Sequence, residues 1–213
     1  MKAFTSVLLG CGLLLATSMG PAACGLSKPY PAKQLYAIDV GTPQPVTAPL
    51  PGMTLRVLRA RVSDPFSSRE FQYLIAPNQF QQDYYANFVA DPDRLLTSEI
   101  IEWMSAAGLY ATVVDASSPV KADRSLQCVV TQLYGDMSDP AVSARAVVEA
   151  RFFLLDETDV DAKVLFSKDY RQAEPVTGTG ADKLTQAWGR AMRKILEQLT
   201  TDLRAVRQTD KPT

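Results

Sequence analysis

The sequence predicts an α+β domain: a single, mostly antiparallel sheet with two amphipathic helices packed on it. Three observations lead there. The apolar pattern changes in the order strands, helix, strands, helix, unlike the regular alternation of a doubly wound sheet. Two segments, one opening at Asp91-Pro92 and one at Asp182, carry apolar residues at helical spacing on one side only. Residues 144–155 alternate instead: Ala146, Val148, Ala150, Phe152 and Leu154 share one face, and Arg145, Glu149 and Arg151 share the other. That is the half-buried pattern of an antiparallel sheet with one wet side.

Each element can be justified in order. Residues 34–40 (QLYAIDV) alternate and read as a first strand. Residues 41–52 carry Pro43, Pro45, Pro49 and Pro51, so they cannot donate regularly to a ladder and read as an extended connection. Residues 54–62 form a second strand whose alternation slips between Val57 and Leu58, the mark of a bulge. Ser63-Asp64-Pro65 is a turn, residues 69–75 are a third strand, and residues 82–89 are a fourth. Asp91-Pro92 starts a helix, since proline is tolerated in a first turn; Leu96, Ile100, Trp103, Met104 and Ala107 recur along it and Gly108 stops it. Strands follow at 109–114, 126–134, 144–155 and 164–170, with a turn at 156–161. The closing helix runs from Asp182 to about Arg207, with Leu184, Trp188, Ala191, Ile195, Leu199, Leu203 and Val206 as its stripe.

The amino terminus reads as an address. Lys2 precedes an apolar stretch reaching about Met19, the layout of a bacterial-type secretory signal and too short and Gly/Ser-interrupted for a spanning helix. Ala22-Ala23-Cys24 puts two small residues before a cysteine and resembles the lipobox of bacterial lipoproteins, with Pro21 where a larger aliphatic residue is usual. Cys24 is therefore the expected lipid-attachment residue; the rival is an ordinary secretory cut after Ala22 or Ala23. Cys11 is placed too early to serve, because only a short signal would precede it. The expected organisation is a signal at 1–23, a tether at 24–33, one domain at 34–207 and a polar tail at 208–213.

Composition narrows the function. Lys and Arg number 22 against 23 Asp and Glu, a net charge of −1, so no global field favours nucleic acid. The chain has no histidine, which excludes Ser-His-Asp and Cys-His sites and every His-ligated metal or haem. Three cysteines are too few for a disulfide scaffold, and Cys128, inside a strand-like run, reads as a small buried hydrophobe.

The remaining motifs are weak. Gly178-Thr179-Gly180 lacks the third glycine and lysine of phosphate loops, and reads as a flexible loop capped by Asp182 or Thr179. The acidic run 156–161 lacks the glycine and terminal glutamate of a calcium loop and reads as a solvated hairpin tip. Tyr84, Tyr85, Phe88, Trp103 and Trp188 are assigned to core packing, with interface or lipid contact as the alternative. No catalytic, cofactor or metal residues are expected.

Taken in order, several segments resemble the ABC-type transport auxiliary lipoprotein family. They are the lipobox-like Cys24, the early strand, the strand pair within 55–75, and Tyr84-Tyr85-Ala86-Asn87-Phe88 followed by Asp91-Pro92. Leu95-Leu96-Thr97, Ala107-Gly108-Leu109-Tyr110, Leu133-Tyr134-Gly135-Asp136, the strand within 146–155 and a helix ending Asp202-Leu203 complete the match. The resemblance implies a non-enzymatic lipoprotein carrying lipid (palmitate among its acyl chains) at Cys24. It implies a place on the periplasmic side of a Gram-negative envelope, at the outer membrane. The implied partners are an MCE-domain protein with its ABC permease and ATPase, and the implied cargo is phospholipid or another hydrophobic substrate. Homo-oligomer formation is left open; nucleic acid and cofactors are not implied. The rival reading is an envelope-assembly or structural outer-membrane lipoprotein unrelated to transport. A carboxylate-pair hydrolase and a direct lipid carrier are remoter alternatives.

Overall fold

In a computed structural model that describes residues 32–45, 50–139, 141–158 and 161–209, every strand belongs to one mixed sheet. The strands are β1 (Gln34–Tyr36), β2 (Leu50–Val57), β3 (Arg61–Val62), β4 (Glu70–Ala76), β5 (Gln79–Phe88), β6 (Tyr110–Asp115), β7 (Arg124–Asp136), β8 (Arg145–Asp156) and β9 (Lys163–Pro175). The helices are α1 (Pro92–Ala107) and α2 (Ala181–Thr209), and a 3-10 turn spans Asp64–Phe66. The α+β class is as expected.

Strand β7 is the trunk. Along one edge it pairs antiparallel with β8 over its whole length, and β8 pairs the same way with β9. Its other edge is shared. β2 takes Arg124 to Leu126, β3 takes Val129 and Val130, and β4 takes Gly135 and Asp136, all parallel. Beyond that edge the sheet divides into two branches, β2–β6 and β4–β5–β1. The long ladders are thus antiparallel and the short junctions parallel. The slip read at Val57/Leu58 is a full break between β2 and β3, bridged by Leu58 N–H donating to Leu126 O.

A bulge in β7 explains its burial pattern. Leu126, Cys128 and Val130 face the core; the register then shifts at Thr131, and Leu133 and Gly135 face it instead. One extra residue inverts the parity of everything after it. Leu133 then opposes Val148 and Gly135 opposes Ala146. Gly135 suits its place because a Cβ there would lie 3.0 Å from both Leu184 and Tyr73.

Both helices pack on the sheet face that buries the even-numbered stripe of β8. Helix α2 buries Leu184, Ala187, Trp188, Ala191, Met192, Ile195, Leu196, Leu199 and Leu203. Each large aliphatic side chain so buried contributes about 1.5–3 kcal/mol. Helix α1 buries Leu96, Ile100, Trp103, Met104 and Ala107, and ends at Gly108, whose φ of 65° supplies the left-handed stop. The helices are joined by Trp103 Nε1–H donating to Thr200 Oγ1 at 3.0 Å. Phe71 binds the β4–β5–β1 branch to α2: its ring lies 4.6 Å from Phe88, 4.9 Å from Trp188 and 5.5 Å from Tyr36.

Candidate functional site

Two features at the amino-terminal end of the domain depart from a regular sheet. The first is a strap. The strand expected at 34–40 pairs with β5 only as far as Tyr36; residues 37–40 leave the sheet and pass between α1 and α2. The reason is local packing. Ile38 and Val40 are still buried, but against the helices. Val40 N–H donates to Glu99 Oε2 of α1 at 2.9 Å, and Val40 O accepts from Arg193 Nε of α2 at 2.8 Å. Gly189 lets Asp39 O press onto α2, since a Cβ there would be 2.1 Å away. Burial pushes the Glu99 carboxyl above the usual carboxylate range despite the bond from Val40, and Glu102 and Asp39 push the same way. An open concavity of about 610 Å³ lies on the α1 side of the strap, bordered by Asp39, Glu99 and Glu102. One of about 280 Å³ lies on the α2 side, bordered by Asp39, Arg190 and Arg193.

The second feature is a wide bulge in β5. Gln82 opposes Gln72, yet Asn87 opposes Glu70, so five steps along β5 match two along β4. Residues 83–85 leave the β4 ladder, while Ala86 returns to the core opposite Gln34 of β1. Asp83 holds the detour: Oδ1 accepts from the N–H groups of Tyr85 (2.8 Å) and Ala86 (3.0 Å), and Oδ2 accepts from Tyr73 OH (3.0 Å). Asn87 Nδ2 closes it by donating to Tyr84 O at 3.2 Å. Burial first, and then the Asp83 carboxylate, push the Tyr73 phenol far above its usual value, so it stays a hydrogen-bond donor.

The bulge corrects the assignment of the aromatics. Phe88, Trp103 and Trp188 are core residues, but Tyr84 is 67% and Tyr85 38% exposed. Their rings stand edge to face at 5.1 Å, and Lys33 Nζ lies 4.6 Å from the Tyr84 ring centre. Leu35, two residues after Lys33 and in register with Asn87, is 61% exposed. Sequence reading missed this because a tyrosine pair beside Phe88 and Val89 looks like core, and no signal in the sequence marks the detour.

The other expected residues are placed as follows. Cys24 and the signal segment lie outside the described residues. Cys128 is buried, and burial drives its thiol pKa far up, so it packs as a hydrophobe. Helix α2 begins at Ala181 with Gly180 O accepting from Lys183 and Leu184 N–H, so Gly180 occupies the capping position instead of Thr179 or Asp182. At the acidic tip, Asp156 accepts from Thr158 N–H at 3.0 Å and pairs with Arg124. Those Thr158 bonds, with the Arg124 charge, hold Asp156 below the usual carboxylate range. Val160 and Asp159 are outside the described residues. No group of three metal-ligating side chains occurs among the described residues.

On the sheet face away from the helices, Arg151 pairs with Asp169 and Arg171 with Glu149, so the polar face of β8 is an ion-pair ladder across to β9. Among the described helices, none is long and apolar enough to cross a membrane.

The fold defines the class first: an α+β domain in which one mixed sheet is backed by two helices. The two most exposed large apolar side chains among the described residues, Tyr84 and Leu35, stand where the chain enters it. The chain belongs to the ABC-type transport auxiliary lipoprotein component family, whose model matches residues 36–202. It is accordingly an auxiliary lipoprotein of ABC transport, associated with the cell envelope. No curated protein matches the sequence. Among solved structures, a Xanthomonas campestris protein of the DUF330 family is similar, with a TM-score of 0.66 at 18% identity, covering 79% of this chain and 96% of that one. A second, described only as an uncharacterized protein, gives 0.63 at 15% identity, covering 81% and 99%. At these identities the likeness is one of fold.

Proposed function

We propose that the chain is a lipid-anchored, non-catalytic periplasmic subunit of an MCE-type ABC transport system, tethered through Cys24 at the outer membrane and acting by docking onto the MCE-domain partner. The observation that carries this reading is the family match across 36–202, which begins twelve residues after Cys24. The accessory helps the transporter move phospholipid or another hydrophobic substrate across the envelope. Two supports come from the molecule. Two arginines on the open sheet face, Arg151 and Arg171, are neutralised by Asp169 and Glu149, which suits a surface that scaffolds. The strap clamps the incoming chain to both helices, which suits a tethered domain that must stay seated near its anchor.

The test is a pull-down from crosslinked membranes, comparing wild type with Cys24→Ala and identifying bound proteins by mass spectrometry. Recovery of an MCE-domain protein that is lost or mislocalised in the variant is the expected outcome. Recovery of unrelated envelope proteins with no transporter component would sink the assignment and favour an envelope-assembly lipoprotein.

A further inference from the structure

We infer that the Lys33, Leu35, Tyr84 and Tyr85 surface is a membrane contact, resting on the same bilayer that holds the Cys24 anchor. This rests on the proposed lipidation of Cys24. A leucine and two tyrosines left open on the neighbouring strands β1 and β5 cost apolar burial that the domain could have gained. The protein also inserts a three-residue detour, fixed by Asp83 and Asn87, to place the tyrosines there.

The chemistry fits a headgroup layer. Tyrosine carries an apolar ring with a polar tip and is enriched where one end must be dry and the other wet. Lysine lays its stem along apolar surface and keeps its ammonium among the phosphates. Lys33 over the Tyr84 ring joins these two habits at one point. The positive charge also complements the anionic lipids of a bilayer surface.

Chain length identifies the occupant. Lys33 lies nine residues after Cys24. A chain that short reaches at most about 30 Å when fully extended. The domain therefore cannot leave the neighbourhood of its anchor, and the part of it held nearest is β1 with the bulge beside it. Beyond Tyr36 the strap fastens the chain to α1 and α2, so tension on the tether is delivered at this edge. The edge strand β9, at the other end of the sheet, carries Lys168, Asp169 and Arg171 and shows the contrasting, charged surface.

The experiment uses full-length, lipid-modified protein in vesicles of phosphatidylethanolamine and phosphatidylglycerol containing a doxyl-labelled phosphatidylcholine. A fluorophore is placed through Gln82→Cys, beside the bulge, or through Ser167→Cys on β9; buried Cys128 does not compete for the label. Each is compared with the same label in a Leu35→Ser/Tyr84→Ser/Tyr85→Ser background, whose folding is checked by circular dichroism. The expected result is quenching several-fold stronger at 82 than at 167, and collapse of that difference in the triple serine variant. Equal quenching at both positions, or quenching at 82 that the serines leave unchanged, overturns the contact and leaves the patch as a protein-docking face. Flotation with the vesicles is scored separately against Cys24→Ala. If wild type does not float, the anchor reading fails and takes the inference with it; if it floats without quenching at 82, the inference alone fails.

Discussion

Replacing Gly189 with alanine sets two physical effects against each other, and the structure decides the sign. Glycine inside a helix is disfavoured by about 1 kcal/mol relative to alanine, so propensity alone predicts a gain. The strap predicts a loss. A Cβ at 189 would meet Asp39 O at 2.1 Å, whereas ordinary contact starts at 3.4 Å, so the two must part by 1.3 Å. Neither side yields easily. Helix α2 is held by its apolar stripe, and the strap is held at the next residue by Glu99 and Arg193. Overpacking of this kind costs roughly 1–3 kcal/mol, and each hydrogen bond to a charged group that is stretched open costs about 1.5–3 kcal/mol. With the propensity gain subtracted, the net destabilisation is about 2–4 kcal/mol. Urea unfolding followed by the fluorescence of buried Trp103 and Trp188 reads it out. With a slope near 2 kcal/mol/M, the midpoint falls by roughly 1–2 M. In an Arg193→Ala background, where the strap is already loosened, the same substitution costs less. An unchanged or raised midpoint for Gly189→Ala refutes the reasoning, because it means that the strap does not bear on α2 at this residue.

Three further predictions use the same unfolding assay. Thr200→Val keeps the shape but leaves buried Trp103 Nε1–H without its acceptor, and costs about 1–3 kcal/mol; no loss would mean that the bond does not join the helices. Glu99→Gln tests the raised carboxyl. A group that binds its proton more tightly when folded gives stability that fades as pH rises from the unfolded value, about 4.3, through the folded one; the amide removes that decline, and parallel wild-type and variant profiles between pH 4 and 8 would count against it. Asp202 has the opposite sign. Burial works to raise it, but bonds from Lys168 Nζ and Tyr170 OH outweigh burial and hold it low. Its contribution is present above the unfolded value, about 3.9, and is lost as pH falls through the folded one, so the gap between wild type and Asp202→Asn closes in acid; a gap constant to pH 2 would contradict this.

The parts of the fold legible in the sequence were those governed by short-range periodicity. Both helices, the α1 stop at Gly108 and the core face of β8 follow from spacing alone, because one-sided burial imposes 3.6- or 2-residue repeats on the chain. The misreadings arose where a long-range contact overrode a local pattern, or where a backbone cap or turn went against side-chain preference. Residues 37–40 alternate like a strand, but two helices nearly sixty and more than one hundred and fifty residues away capture Val40. The cap of α2 fell to Gly180, between two residues with better capping side chains. The turn at Pro77-Asn78, where Asn78 takes a φ of 60°, extended β4 and β5 beyond the expected limits.

The bulge and the strap are consequences of one arrangement at the end where the chain enters. A strand that continued straight from Tyr36 would have run on along β5 opposite residues beyond Phe88, and would have left the groove between α1 and α2 uncovered. By turning inward, residues 37–40 fill that groove with Ile38 and Val40 and reduce β1 to three residues. So short a strand pairs with β5 only from Ala86 to Phe88, and the detour at 83–85 uses the edge left open before it. Asp83 compensates the broken ladder by accepting from the two N–H groups that β4 no longer meets. The exposed tyrosines are therefore not a lapse in packing. They stand on a backbone whose hydrogen bonds are satisfied, at the edge next to the only segment that can tie the domain to Cys24. A structural bulge required merely to end a strand would need one extra residue and no aromatic pair. Replacing Asp83 with alanine would separate the two demands: it releases the detour without touching the core rings, so loss of the quenching contrast with retained near-ultraviolet aromatic dichroism is the expected result. Retained contrast would show that the tyrosines reach the bilayer without the geometry that Asp83 imposes.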